Sequence, residues 1–151
     1  MNGVWFGGQS ELVGPDQGAF GDQRVSQFEP LIGWTFAYNL NPDIINQYTT
    51  GTGTIATNCC SAVLSTGTDV DGRAKIETVG GNRYIPGVGA TARFTAVFDT
   101  PKENSLQLIG IGNGTDGWFF GYNGTQFGIL RKRAGVDFWT YQEDWNIDNK
   151  A

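Results

Sequence analysis

IGNGTDGWFFGYNGTQFGILRKR, residues 111–133, is the stretch whose reading decides the fold. Asn-Gly occurs in it twice, at Asn113 and Asn123, each time between alternating apolar residues. That dipeptide is the strongest short-range hairpin signal, because both residues tolerate the positive φ that a two-residue turn demands. Trp118, Phe120 and Tyr122 then share one face of the strand that runs into the second turn, and Phe127 and Ile129 begin the return strand. The stretch reads as successive hairpins whose aromatic side chains enter a core.

The same pattern extends in both directions. Residues 106–111 precede the hairpins and residues 136–141 follow them. Upstream, residues 90–98 (ATARFTAVF) alternate most cleanly, with Ala92, Phe94, Ala96 and Phe98 on one face and Thr91, Arg93, Thr95 and Val97 on the other. Residues 31–38 (LIGWTFAY) place Ile32, Trp34, Phe36 and Tyr38 on alternate positions. Period two over such lengths predicts half-buried strands. Shorter runs at 20–25, 53–57, 60–66, 73–79 and 83–85 add to them. Residues 44–48 read as either a strand or a short helical turn. Gly, Asn, Asp and Pro clusters separate the runs, and no segment keeps a helical period for more than about two turns. About ten short strands with turn signals between them predict an all-β protein, an antiparallel β-sandwich of jelly-roll-like type spanning 21–151 as one domain. Residues 1–20, with glycines at 3, 7, 8, 14 and 18, read as an extended Gly-rich N-terminal arm.

Composition narrows the function. A formal charge of −5 leaves no basic surplus to displace counterions from a nucleic acid. No apolar run approaches the roughly 20 residues of a membrane helix, and the first residues lack the basic and apolar regions of a secretory peptide. The expectation is synthesis in the cytoplasm, with no membrane and no nucleic acid as partner. The chain has no histidine at all. That removes imidazole-based nucleophile systems, imidazole metal ligands and the ordinary pH switch. Two cysteines, Cys59 and Cys60, are adjacent in the sequence. They read as small buried residues with free thiols, since neighbours on a strand point to opposite faces. No cofactor and no metal are expected.

Several residues have a functional reading beside a structural one. Asn113-Gly-Thr and Asn123-Gly-Thr are glycan acceptors only in a secretory pathway and otherwise turns. Asn113-Gly-Thr-Asp116-Gly lacks the alternating carboxylates of a calcium loop, and Asp69-Val-Asp71-Gly has two acids at the right offset but no downstream bidentate Glu. Glu77, Asp99, Glu103 and Asp116 offer no pair marked out for glycoside hydrolysis, and no enzyme activity is expected. Arg131 and Arg133 share a strand face, with Lys132 on the other. They are a basic patch suited to an acidic neighbour, including Glu143, Asp144 and Asp148 of another copy. Trp139, Tyr141 and Trp145 are the candidates for stacking on a sugar, with sheet packing as the alternative. Trp5 and Phe6 on the arm, together with Phe20, are candidate anchors on a neighbouring subunit, because apolar side chains favour burial.

Beyond these readings, FGDQRVSQFEPLIGWTFAYNLNPDII, the loop near Ser65, Arg83-Tyr84-Ile-Pro-Gly, ARFTAVF at 92–98 and GYNGTQFGILR at 121–131 together resemble a β-rich domain of virion proteins of tailed phages and large DNA viruses. The resemblance covers about residues 20–145. It implies a jelly-roll-like, non-enzymatic structural protein in the virion, either a capsid-surface decoration subunit or part of a fibre or appendage. It also implies a symmetric oligomer, a trimer being usual, in contact with other virion proteins. The chain carries no collagen-like or coiled-coil shaft, which favours a short surface or appendage subunit over a long fibre. A carbohydrate-binding module recognising a host glycan is the alternative.

Overall fold

The computed structural model describes residues 30–81 and 89–147. The arm with Trp5, Phe6 and Phe20, and the runs at 20–25 and 83–85, lie outside the described residues. The protein is all-β, and every strand pair is antiparallel. The chain divides into two compact units, Met1–Tyr84 and Ile85–Ala151.

In the first unit, Asn41 starts the chain turning. Its side-chain oxygen accepts the Asp43 amide at 2.9 Å, and its carbonyl accepts the Ile45 amide at 3.0 Å. This is the usual role of Asn before a turn, and it settles the ambiguous run in favour of a strand. β1 (Ile45–Thr50) pairs with β4 (Arg73–Thr78), so that Ile45 lies opposite Thr78 and Thr50 opposite Arg73. Between them in sequence, β2 (Thr54–Asn58) and β3 (Ser61–Ser65) form a hairpin of their own. Leu40 and Ile45 are the buried apolar side chains described in this unit.

The β2–β3 hairpin overturns the expectation for the cysteines. Asn58 pairs with Ser61, which leaves Cys59 and Cys60 as the two turn residues, with φ of 45° and 62°. Positive φ at both positions is the signature of a type I′ turn. Both thiols are free and exposed, not buried. The error came from reading the pair as part of a strand. A two-residue turn between Thr-rich runs carries no glycine here to announce it.

The second unit is a four-stranded meander in the order β5 (Leu106–Gly112), β6 (Gly117–Asn123), β7 (Gln126–Arg133) and β8 (Val136–Tyr141). A short 3₁₀ turn, Gln142–Asp144, follows. The two hairpins foreseen from residues 111–133 are present. In the second of them the turn sits one residue later than Asn-Gly suggests. Asn123 pairs with Gln126, and Gly124 alone has positive φ, at 60°. That is the pattern of a II′ turn with glycine first. The β7–β8 turn, Ala134-Gly135, has both φ positive.

Two predicted strands do not form ladders among the described residues. Residues 31–38 and 90–98 have no strand pairing. Leu31, Tyr38, Phe94 and Val97 are exposed, Tyr38 and Val97 almost wholly. Alternation makes a segment suited to a sheet, but the hydrogen bonds come only with a partner strand.

Candidate functional site

Cross-strand register sorts the meander into two unlike faces, because directly opposed residues point the same way. One face is paved with glycine. Gly110 and Gly112 on β5, Gly117 and Gly121 on β6 and Gly128 on β7 all belong to it. The Phe119 ring lies over three of them. A Cβ on Gly110, Gly117 or Gly112 would stand 2.7, 2.8 or 3.0 Å from a carbon of that ring. Glycine weakens a strand interior. Here it permits an aromatic ring to lie flat against the backbone. Phe119, Leu130 and Trp139 form a row across β6, β7 and β8, and Leu130 at its centre is fully buried. Lys132 and Asp137 are also on this face, 3.4 Å apart.

The other face is aromatic. It carries Ile109 and Ile111 from β5 and Trp118, Phe120 and Tyr122 from β6. β7 adds Phe127, Ile129 and Arg131, and β8 adds Phe138 and Thr140. One end of it is covered by neighbouring chain. Gln107 holds Asp99 through both ends of its amide, accepting the Asp99 amide at 3.0 Å and donating to the Asp99 carbonyl at 3.3 Å. This places Phe98 edge-on to Tyr122, with ring centres 5.7 Å apart. Trp145 meets Phe127 with ring centres 6.1 Å apart. At the other end, Arg131 lies between two rings in its own row, 4.9 Å from the centre of Phe138 and 5.9 Å from that of Trp118. Trp118, Phe120 and Phe138 remain about half exposed, so this face is not the closed core expected from the hairpin pattern.

The sequence-derived candidates therefore separate. Trp139 and Tyr141 do come together, with rings nearly parallel and 5.6 Å between centres. The Tyr141 hydroxyl accepts a hydrogen bond from the Asn123 carboxamide at 2.9 Å. They stand on the glycine face. Trp145 does not join them, because the 3₁₀ turn swings it onto the aromatic face, where its indole N–H donates to the Thr140 carbonyl at 3.3 Å. Arg131 and Arg133 share the aromatic face as expected, and Lys132 is opposite.

Residues 113–116 form a self-contained turn. The Asn113 side-chain oxygen accepts the amides of Thr115 and Asp116 at 2.8 and 2.7 Å and the Thr115 hydroxyl at 2.9 Å. One Asp116 carboxylate oxygen accepts the Ala134 amide at 3.0 Å, and the other lies at the same distance from the Thr115 hydroxyl, sharing its single proton with the Asn113 oxygen. Those bonds, the Ala134 amide first, hold the Asp116 carboxyl below its ordinary range, with help from the Arg133 charge. The oxygens that suggested a cation loop are spent on the turn and on tying it to the β7–β8 turn. Glu77 is likewise engaged, by Lys75, whose hydrogen bond lowers its pKa. Among the described residues no three His, Cys, Asp or Glu side chains gather as a metal site.

Sequence reasoning missed one feature. Trp118, Ile129, Thr140, Asp144, Trp145 and Asn146 line an open cleft of about 310 Å³ on the aromatic face. Trp118 was read as core, and nothing local links it to Trp145, since the register and the 3₁₀ turn together bring them to one place. Comparison with protein-family models, curated proteins and solved structures finds no match to the chain.

Proposed function

We propose that this chain is a non-enzymatic structural subunit of a virus particle, a capsid-surface decoration or appendage protein that assembles as a symmetric oligomer of itself. One observation carries the self-association. Residues 31–38 and 90–98 have strand sequences and exposed apolar side chains, yet no strand partner among the described residues. Backbone with strand patterning that joins no ladder is a template for strand addition from another chain. Supplying those strands between copies would complete the jelly-roll-like sandwich and cover apolar side chains at the same time. The virion setting and the trimer rest on the resemblance in sequence. A second reading, recognition of a host glycan, is favoured by the cleft between Trp118 and Trp145.

Light scattering of the full chain across a range of concentrations tests self-association. The expected mass is a fixed multiple of 16.4 kDa, threefold for a trimer. Thr95→Pro removes a backbone donor from residues 90–98 and should lower that mass. A 16.4 kDa species at every concentration overturns the proposal.

A further inference from the structure

We propose that the cleft on the aromatic face is a carbohydrate site, taking a single neutral pyranose between Trp118 and Trp145 with Asp144 and Asn146 as its hydrogen-bonding partners. This rests on the second reading above and moves the site away from Trp139 and Tyr141, which lie on the opposite face of the sheet.

Four observations carry it. The cleft, at about 310 Å³, suits one sugar ring, at the lower end of the range for small-molecule sites. Two of its lining residues are tryptophans, and a pyranose presents a face of C–H groups that packs against an indole while its hydroxyls point outward. The Trp145 wall is fixed in advance. Its indole N–H is bound to the Thr140 carbonyl, its ring abuts Phe127, and its amide donates to the Gln142 carbonyl at 3.1 Å. A wall already held in place loses little freedom on binding. Finally, the Asp144 carboxylate and the Asn146 carboxamide make no hydrogen bond or ion pair among the described residues. A carboxylate accepts from two vicinal hydroxyls at once, and a carboxamide both donates and accepts.

Two aromatics and a carboxylate also describe a cage for an ammonium ion. Arg131 argues against that ligand here. Its guanidinium already lies over the Trp118 ring, 5.9 Å from the centre, and would repel a second cation. A neutral polyol meets no such opposition.

The test is a titration of the full chain, followed by tryptophan fluorescence and by saturation-transfer NMR. The probes are the methyl glycosides of glucose, mannose, galactose and N-acetylglucosamine, with choline and cyclohexanol beside them. Saturable binding of at least one glycoside is expected, with neither choline nor cyclohexanol competing. Asp144→Ala should raise Kd at least tenfold. Because Asp144 has no side-chain partner among the described residues, that variant keeps its structure. Trp118→Ala should abolish binding, and Trp139→Ala should leave it unchanged. Binding lost in Trp139→Ala and kept in Asp144→Ala would preserve glycan recognition and overturn this site. Competition by choline or cyclohexanol would overturn the sugar as ligand. No response to any glycoside would overturn both. Light scattering on the same samples reports self-association separately, so the fate of the assembly reading is not confused with that of the cleft.

Discussion

The paved face of the meander makes a quantitative prediction from one methyl group. Gly110→Ala places a Cβ 2.1 Å from the Trp118 carbonyl oxygen, 2.6 Å from the Phe119 Cα and 2.7 Å from the Phe119 ring. Two of those atoms are backbone, so no change of rotamer relieves the contact. β5 and β6 must separate locally, and the Phe119 ring must leave its seat. Overpacking of this kind costs about 1–3 kcal/mol. Replacing glycine by alanine returns about 0.4–1 kcal/mol by restricting the unfolded chain. The net expectation is a loss of about 1.5 kcal/mol. For a unit of some 60–100 residues, that is a fall in Tm of roughly 6–12 °C. Gly114→Ala is the matched control. A Cβ there meets nothing within 4 Å, and only the favourable contribution remains, about 0.5 kcal/mol. Urea unfolding followed by tryptophan fluorescence reads both variants, provided the m-value is unchanged. The same chemical change should thus have opposite signs at two glycines four residues apart. A Gly110→Ala protein as stable as wild type would refute the packing of Phe119 against the β5 backbone.

Two further outcomes follow from the turns. The folded-state pKa of Asp116 is depressed, so its contribution to stability is full above its unfolded value, near 3.8, and is lost as pH falls below that through the lower folded value. Urea midpoints between pH 6 and 2.5 should drop in wild type over that window, and Asp116→Asn should flatten this part of the profile. Replacing Cys59-Cys60 by Asn-Gly suits the type I′ turn far better and should raise stability by about 1 kcal/mol or more, measured by the same unfolding experiment; no gain would mean that the β2–β3 turn is not type I′.

The meander was the most legible part of the fold, and the reasons are local. β8 was expected at 136–141 and occupies Val136–Tyr141, because Ala134-Gly135 and the alternation of β8 lie within a few residues of one another. β6 and β7 were placed to within two residues of their observed ends by their aromatic alternation and the Asn-Gly turn. The pairing of β1 with β4 was not legible. The two strands are separated by a complete hairpin, and no residue in either one names the other. Residues 31–38 and 90–98 failed in an instructive way. Their alternation is as good as that of β6, but propensity describes what a segment can pair with, not whether a partner is present.

The candidate sites divide along the same line. Trp139 and Tyr141 were correctly placed together, since two residues apart on one strand means one face. Trp145 was grouped with them only by proximity in sequence. The Gln142–Asp144 turn ends the strand's period and carries the chain over to the aromatic face, where β7 and β6 are the neighbours. What meets Trp145 there is Phe127, eighteen positions earlier in the chain. Strand pairing also brings Trp118 to Arg131 and Arg131 to Phe138. Local pattern thus assigns residues to faces, whereas register and a single turn assign faces to each other. Of the residues that line the cleft, only Trp145 was singled out from sequence for stacking on a sugar; Asp144 was named as an acidic partner for the basic patch of another copy. Trp118 was assigned to the core because its alternation with Phe120 and Tyr122 shows which face it takes but cannot show whether that face is covered.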